Sequence, residues 1–120
     1  MDLLTIIFLS GGLFLGWSLG ANDAANVFGT AVGTRMVRFK TAAIVCSLFV
    51  ILGAIISGSG TTETLGRLGS INALPGAFAA CIAAGLSVYV MTKFGLPVST
   101  TQAIVGSIVG WNLYLSLIHI

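Results

Sequence analysis

The residues best suited to chemistry form a polar run within an otherwise apolar stretch: Asn22, Asp23, Asn26 and Thr30. At about 100° per residue, these side chains and Thr34 share one helical face, an arc of roughly 120°. A membrane carboxylate such as Asp23 can hold Na⁺ or carry a proton. The oxygens of Asn22, Asn26 and Thr30 are further ligands of the kind that a hard cation prefers. The amide NH₂ groups can instead donate to an anion.

The same run has two purely structural interpretations. Asn22 or Asp23 could cap the N-terminus of a helix, or the amides could form hydrogen bonds between helices. Capping accounts for one side chain and leaves the others unexplained. Gly20, directly before the run, favours a break in the first membrane helix. Gly20–Thr34 is therefore predicted to differ from a plain membrane helix, and the sequence leaves open whether it crosses, re-enters or lies along the interface.

A second polar run follows Gly95 and Pro97: Ser99, Thr100, Thr101 and Gln102. The glycine and the proline interrupt an apolar region, so these residues are predicted to open a new helix. The first turn of a helix has unpaired N–H groups and a partial positive charge, and the hydroxyls add further donors. This combination suits an oxyanion such as phosphate or sulfate. Ordinary N-capping by Ser99 is the structural alternative, but two interrupted segments in one membrane chain favour a solute site between them.

The composition requires a membrane as the solvent of this chain. Hydrophobic residues make up 57% of the 120 residues and charged residues 7%, whereas a soluble domain carries about 25% charged residues. A span needs about 20 apolar residues, so the chain has room for roughly four or five passes in one domain, residues 1–120. We therefore predict an all-α, polytopic transmembrane helical bundle. The scattered net charge of +2 indicates no nucleic-acid partner.

Four apolar runs are the predicted membrane helices: Leu3–Leu19, Thr41–Ser57, Ala73–Thr92 and Ser99–Ile120. A polar loop, Gly58–Ser70, is predicted between the second and third runs. Basic residues concentrate on the cytoplasmic side of membrane proteins. Arg35, Arg38 and Lys40 mark that side, and Lys93 falls on the same side two passes later. The N-terminus is therefore predicted to lie outside.

The two polar runs carry a resemblance to a known family. The stretch Gly20-Ala-Asn-Asp-Ala-Ala-Asn26 and the downstream Gly95-Leu-Pro-Val-Ser-Thr-Thr-Gln-Ala103 resemble signature motifs of the inorganic phosphate transporter (PiT) family. The resemblance covers essentially the whole chain. It implies a secondary transporter, located in the plasma (inner) membrane, that moves phosphate by symport with Na⁺ or H⁺. It also implies two repeats of inverted topology with broken or re-entrant helices, each repeat carrying one Gly-Ala-Asn-Asp copy.

The resemblance implies a role for each polar residue. Six residues would bind substrate: Asn22, Asn26, Ser99, Thr100, Thr101 and Gln102. Asp23 would bind the coupling ion, with Na⁺ as the candidate metal, together with Asn22, Asn26 and Thr30. Only one Gly-Ala-Asn-Asp copy is present, so the chain is expected to be the first repeat of a longer protein. Its expected partners are phosphate, Na⁺ or H⁺, the lipid bilayer and the missing second repeat, with a homodimer left open.

Other functions stay open at this point. A sulfate permease of the same family would use the same residue types, and a non-transporting membrane scaffold would need the polar residues only for stability. An enzyme is not predicted, because the sequence offers no Ser/His pair, no second membrane acid and no metal-ligand spacing. No cofactor is expected beyond the coupling ion.

Overall fold

The computed structural model describes residues 2–67, 74–96 and 98–118, with only the backbone described at 61 and 64–66. Over these residues the chain forms four helices: α1 (Leu3–Gly33), α2 (Phe39–Arg67), α3 (Leu74–Lys93) and α4 (Thr100–Ile118). Each contains a segment long and apolar enough to cross a membrane. The predicted all-α membrane bundle is confirmed. Four positions named above lie outside the described residues: Ser70, Ala73, Pro97 and Ile120.

α1 is a single helix of 31 residues that continues through Gly20. The predicted break at Gly20 is therefore wrong, and Gly20–Gly33 forms the last part of one long helix. The physical reason is that a chain in hydrocarbon must satisfy its backbone groups internally, so one glycine costs less than a break. At 1.5 Å per residue, α1 is about 46 Å long, more than the roughly 30 Å of the hydrocarbon core.

α2 also extends further than the sequence predicted, because it continues past Ser57 to Arg67. The predicted loop from Gly58 onward is wrong as far as Arg67. Two side chains in this segment have partners one turn earlier: the Thr62 hydroxyl donates to the backbone carbonyl of Gly58 at 2.9 Å, and Arg67 forms an ion pair with Glu63. Such i,i+4 pairs support a helix that leaves the apolar layer.

α1 and α3 form the main packing interface and run parallel to each other. The residue numbers of contacting partners increase in the same direction along both helices. The pairs are Phe8 with Phe78 at 5.8 Å between ring centroids, Phe14 with Gly85, and Trp17 with Tyr89 at 5.7 Å. A Cβ atom on Gly85 would lie 2.8 Å from the Phe14 ring, so the glycine is what lets the helices approach here. The register of these contacts determines which polar residues meet.

α4 returns antiparallel along α3, and α2 stands largely apart from the bundle. The indole of Trp111 on α4 covers Gly76 of α3, where an added Cβ would lie 2.8 Å from the ring. α2 contacts the last part of α1 through Ala42, which is buried, and its neighbours. An apolar cavity between these two helices is lined on the α1 side by residues that include Ala24, Phe28 and Val32. These apolar side chains in the last part of α1 therefore lie toward α2.

Candidate functional site

Asn22 lies at the centre of a hydrogen-bonded amide cluster, which consists of Asn22, Asn26 and Thr92. Its side chain is only 4% exposed. The Asn22 Nδ2 group donates to Thr92 Oγ1 at 2.9 Å, and Asn22 Oδ1 accepts from Asn26 Nδ2 at 3.0 Å. A buried amide without such partners would cost about 1–3 kcal/mol, so the two bonds are what make this position tolerable.

Helical spacing and helix register together build the amide cluster. Asn22 and Asn26 are four residues apart on α1, which places their side chains one above the other on the same face. Thr92 comes from the last turn of α3, and the parallel α1–α3 register brings it opposite Asn22. The cluster therefore depends on a contact between helices that neither helix encodes alone.

Asp23 and Thr30 lie beside the amide cluster without joining it. Both residues are exposed. Within the part of the chain that the structure describes, neither side chain forms a hydrogen bond or an ion pair. The Asp23 carboxylate oxygens and the Thr30 hydroxyl consequently remain available to a ligand. Asn26 is also exposed, and its Oδ1 atom is free to accept a cation.

Ser99 is the N-cap of α4, as the structural alternative predicted. Its Oγ atom accepts the backbone N–H of Gln102 at 3.3 Å, and its carbonyl accepts the N–H of Ala103 at 3.1 Å. Thr100 is half-buried, whereas Ser99, Thr101 and Gln102 are exposed. The Ser99 hydroxyl acts as an acceptor in the cap, so its own hydrogen can still be donated to an anion.

Thr92 links the two polar runs, because its hydroxyl contacts the first run and its carbonyl takes part in the turn that leads to the second. The hydroxyl accepts from Asn22, and the carbonyl accepts the N–H of Gly95 at 3.0 Å. The N–H of Leu96 bonds to the Met91 carbonyl at 2.9 Å, which completes a Schellman turn with Gly95 at φ +67°. This turn ends α3 and sends the chain back toward the start of α4.

The two polar runs therefore lie at the same end of the bundle, although no hydrogen bond joins them among the described residues. Seven residue steps separate Thr92 from Ser99, which bounds their Cα separation at about 25 Å. α4 touches α1 only slightly. Asn22 of the first run contacts α3, and the second run opens toward the groove between α3 and α4, where Ser99 and Gln102 line a cavity.

Sequence reasoning missed Thr92 and also Ser18, which is 3% exposed on α1. Ser18 had a usable signal, because Ser18, Asn22 and Asn26 recur at intervals of four on one helical face. Thr92 had none, since a single threonine near the end of an apolar helix is ordinary. Only the packing of α3 against α1 reveals its role.

The fold and the polar groups define an integral membrane protein with a polar site at one end of its helical bundle. A family model for the phosphate transporter family matches residues 19–119. The chain belongs to that family, which confirms the resemblance found in the sequence. The match includes the amide cluster, Asp23 and the start of α4.

Relatives from distant organisms carry matching names. A protein of Pyrococcus abyssi named "putative phosphate permease" is 40% identical over 92% of this chain and 29% of its own length. A protein of the same name from Chlamydia trachomatis is 36% identical over 96% of the chain and 29% of its own length. The chain thus spans less than a third of the length of these relatives. No solved structure matches it significantly.

Proposed function

We propose that the chain forms one repeat of a secondary active transporter that moves inorganic phosphate across a membrane together with Na⁺ or H⁺. The observation that carries the proposal is the family match over 19–119, because it spans both polar runs. The proposal concerns the whole protein, since the chain spans 29% of the first relative. A second repeat and a homodimeric assembly complete the proposed transporter.

Phosphate is proposed to bind at the start of α4. Ser99, Thr100 and Thr101 carry hydroxyl donors, and the Gln102 side chain adds an amide NH₂ group. The backbone N–H groups of Thr100 and Thr101 belong to the first helical turn, where the helix dipole favours negative charge. Exposure of Ser99 and Thr101 leaves these groups accessible to an anion.

The coupling ion is proposed to bind at Asp23, with Asn22, Asn26 and Thr30 supplying neutral oxygens. Asn22 Oδ1 accepts one hydrogen bond from Asn26, so it keeps a second lone pair for a cation. A cation near Asp23 would offset the charge of the anion at the same end of the bundle. Joint binding is then more favourable than either binding event alone, which is a physical cause for coupling.

The proposed orientation places the N-terminus outside the plasma (inner) membrane. The basic residues Arg35, Arg38 and Lys40 follow α1, and Lys93 ends α3. α1 and α3 run parallel, so their C-terminal ends face the same side, and the basic residues there favour the cytoplasm. Transport rather than catalysis is the proposed activity.

A chimeric permease tests the proposal. The segment of the Pyrococcus abyssi relative that matches this chain is replaced by residues 1–120, and the protein is reconstituted into liposomes. Uptake of radiolabelled phosphate and, in parallel, of radiolabelled sulfate is measured with an inward Na⁺ gradient, with a proton gradient and with neither. Gradient-dependent phosphate uptake is expected.

Each outcome of the chimera experiment has a defined meaning. Gradient-dependent uptake of sulfate without uptake of phosphate would reassign the substrate to sulfate. A folded chimera that takes up neither anion, when the parent permease transports phosphate, would contradict the proposal and favour a scaffold. Liposomes with the 120-residue chain alone control for passive leakage.

A further inference from the structure

Ser18 differs from three other serines of the membrane helices. Ser10, Ser47 and Ser87 each donate to a carbonyl three or four residues earlier in their own helix, at 2.6–2.8 Å. Among the described residues, Ser18 Oγ is the one buried side-chain polar atom with no hydrogen-bond partner. A buried serine hydroxyl that does not donate to a carbonyl of its own helix requires an explanation.

A cavity adjoins Ser18 between α1 and α3. Its volume is about 150 Å³, and it is lined by Trp17, Ser18, Ala21, Tyr89, Thr92 and Lys93. At about 30 Å³ per water molecule, this volume corresponds to roughly five waters, so a small ion with part of its hydration shell fits. Ser18 therefore lies against a space that a polar ligand can fill.

Hydrogen-bond donors dominate the polar groups of this cavity. Thr92 Oγ1 already accepts from Asn22, so the Thr92 hydroxyl hydrogen is free to donate. Ser18 contributes a second hydroxyl, and the Lys93 ammonium has three donors and no acceptor. A Na⁺ ion would be repelled by the neighbouring ammonium, whereas an anion would be attracted.

The positive charge of Lys93 is not neutralised by a carboxylate. Within the described part of the chain, the one ion pair joins Glu63 and Arg67, and Asp23, the nearest acid in sequence to the cluster, is not paired with Lys93. The Lys93 Nζ atom lies 5.8 Å from the centroid of the Tyr89 ring. The Tyr89 ring packs on Trp17 in turn, so aromatic contacts hold the ammonium beside the cavity.

We infer that this α1–α3 cavity binds a phosphate-type oxyanion, held by Lys93 and by the hydroxyls of Ser18 and Thr92. The oxyanion is either free inorganic phosphate or the phosphodiester of a lipid headgroup. α3 has 20 residues, which is about 30 Å and matches the hydrocarbon thickness. Lys93 in its last turn therefore lies at the bilayer edge, where both sources can reach the cavity.

This site is distinct from the proposed phosphate site at the start of α4. Tyr89 and Thr92 line the α1 side of α3, whereas Ser87 and Met91 line the cavity on the α4 side together with Ser99. The free-phosphate version of the inference rests on the proposed transport function, because that function brings phosphate to this end of the bundle. The lipid version stands without it.

Fluorescence of Trp17 reports directly on the cavity. The sequence has two tryptophans, so the Trp111→Phe variant of the full chain leaves Trp17 as the single reporter. Inorganic phosphate is titrated in a maltoside detergent without lipid, and phosphatidylglycerol is titrated separately into the same sample. A saturable change with phosphate identifies the free anion, and a change only with phosphatidylglycerol identifies the headgroup.

Matched variants separate the site from general effects. Ser18→Ala and Lys93→Gln are each expected to weaken binding by about tenfold, because the first removes a hydrogen bond to a charged ligand and the second removes the positive charge that attracts it. Ser18→Thr keeps the hydroxyl and should retain binding. Ser10→Ala on the same helix and the exposed Lys40→Gln should leave affinity unchanged. Circular dichroism checks that every variant remains helical.

The inference is overturned if neither ligand changes Trp17 fluorescence, or if Ser18→Ala and Ser10→Ala have the same affinity. Failure of the proposed function is recognised separately. A chimera that shows no phosphate uptake, while the chain still binds phosphate or phosphatidylglycerol through Lys93, refutes transport and leaves this site intact.

Discussion

Asn22 on α1 donates its amide hydrogen to the hydroxyl of Thr92 on α3 at 2.9 Å, across 70 positions of the chain. The bond joins two parallel helices at the level where the chain turns back toward Ser99. It therefore fixes the first polar run relative to the turn that leads to the second. The alignment of a site shared by the two runs would depend on this contact together with the packing of α1 on α3.

Thr92→Val should destabilise the protein by about 1–2 kcal/mol, because valine has the same shape but leaves the buried Asn22 amide without its acceptor. The free energy of unfolding is measured by denaturant titration in detergent. Thr34→Val is the matched control, since the exposed Thr34 hydroxyl bonds to carbonyls of its own helix, those of Thr30 and Ala31. Equal stability of the two variants would show that the Asn22 bond contributes nothing.

Gly85→Ala should cost about 1–3 kcal/mol through overpacking. Its added Cβ would lie 2.8 Å from the Phe14 ring and 3.4 Å from the Leu15 Cα atom. Gly12→Ala provides the control on α1, because nothing lies within 4 Å of its Cβ position, and it should gain up to about 1 kcal/mol in helix propensity. The thermal unfolding temperature of both variants is the measurement. A Gly85→Ala protein as stable as the parent chain would contradict the close approach of α1 and α3.

Asp23→Asn should reduce the dependence of phosphate uptake on the cation gradient at least tenfold, while phosphate binding changes less. The substitution removes the charge and keeps the size of the side chain, so only cation attraction is lost. Uptake by the chimera is compared with and without the gradient. Asp2→Asn, at the N-cap of α1, is the control. Normal ion dependence of Asp23→Asn would remove Asp23 from the coupling site.

Ser99→Asp separates capping from anion binding. Aspartate is as good an N-cap as serine, so the stability of α4 should change by less than about 0.5 kcal/mol. Its negative charge at the helix N-terminus repels an anion, and phosphate uptake by the chimera should fall more than tenfold. Ser99→Ala should instead lose about 1 kcal/mol of stability. Uptake that survives in Ser99→Asp would place phosphate elsewhere.

Gly95→Ala should destabilise the α3–α4 turn by about 1–2 kcal/mol, because φ is +67° at Gly95 and a side chain is strained in that conformation. Gly106→Ala is the control, since Gly106 has ordinary helical geometry and open space around its Cβ position. Denaturant titration of both variants provides the comparison. If Gly95→Ala has the same free energy of unfolding as the parent chain, the turn does not have the conformation described.

The C-terminal end of α3 and the start of α4 could be predicted from the sequence to within about one residue, which is better than usual. Gly95 made this possible, because it ends α3 by a local turn whose bonds all lie within six residues. Gly20 misled for the opposite reason. Its direct neighbours are apolar, and hydrocarbon offers no other hydrogen-bond partner for the backbone groups at Gly20. A glycine that would end a helix in water therefore remains within a continuous helix in a membrane.

The polar site was only half predictable. Asn22, Asp23 and Asn26 follow from residue type and helical spacing, but the partner of Asn22 does not. Pairing it with Thr92 requires the register of α1 on α3, which is set by Phe14, Gly85 and other packing contacts distributed along both helices. A single sequence contains these residues without stating which of them meet.

Parallel packing of α1 and α3 has a consequence during synthesis. Neighbours that run in the same direction cannot pair until the intervening helix has crossed, so Asn22 leaves the ribosome 70 residues before Thr92. At about 5–20 residues per second, that interval lasts roughly 4–14 s. During this delay the Asn22 amide needs another partner, such as water, lipid headgroups or the insertion machinery. The folding of this chain therefore includes a delay between the synthesis of Asn22 and its pairing with Thr92, which an antiparallel hairpin would avoid.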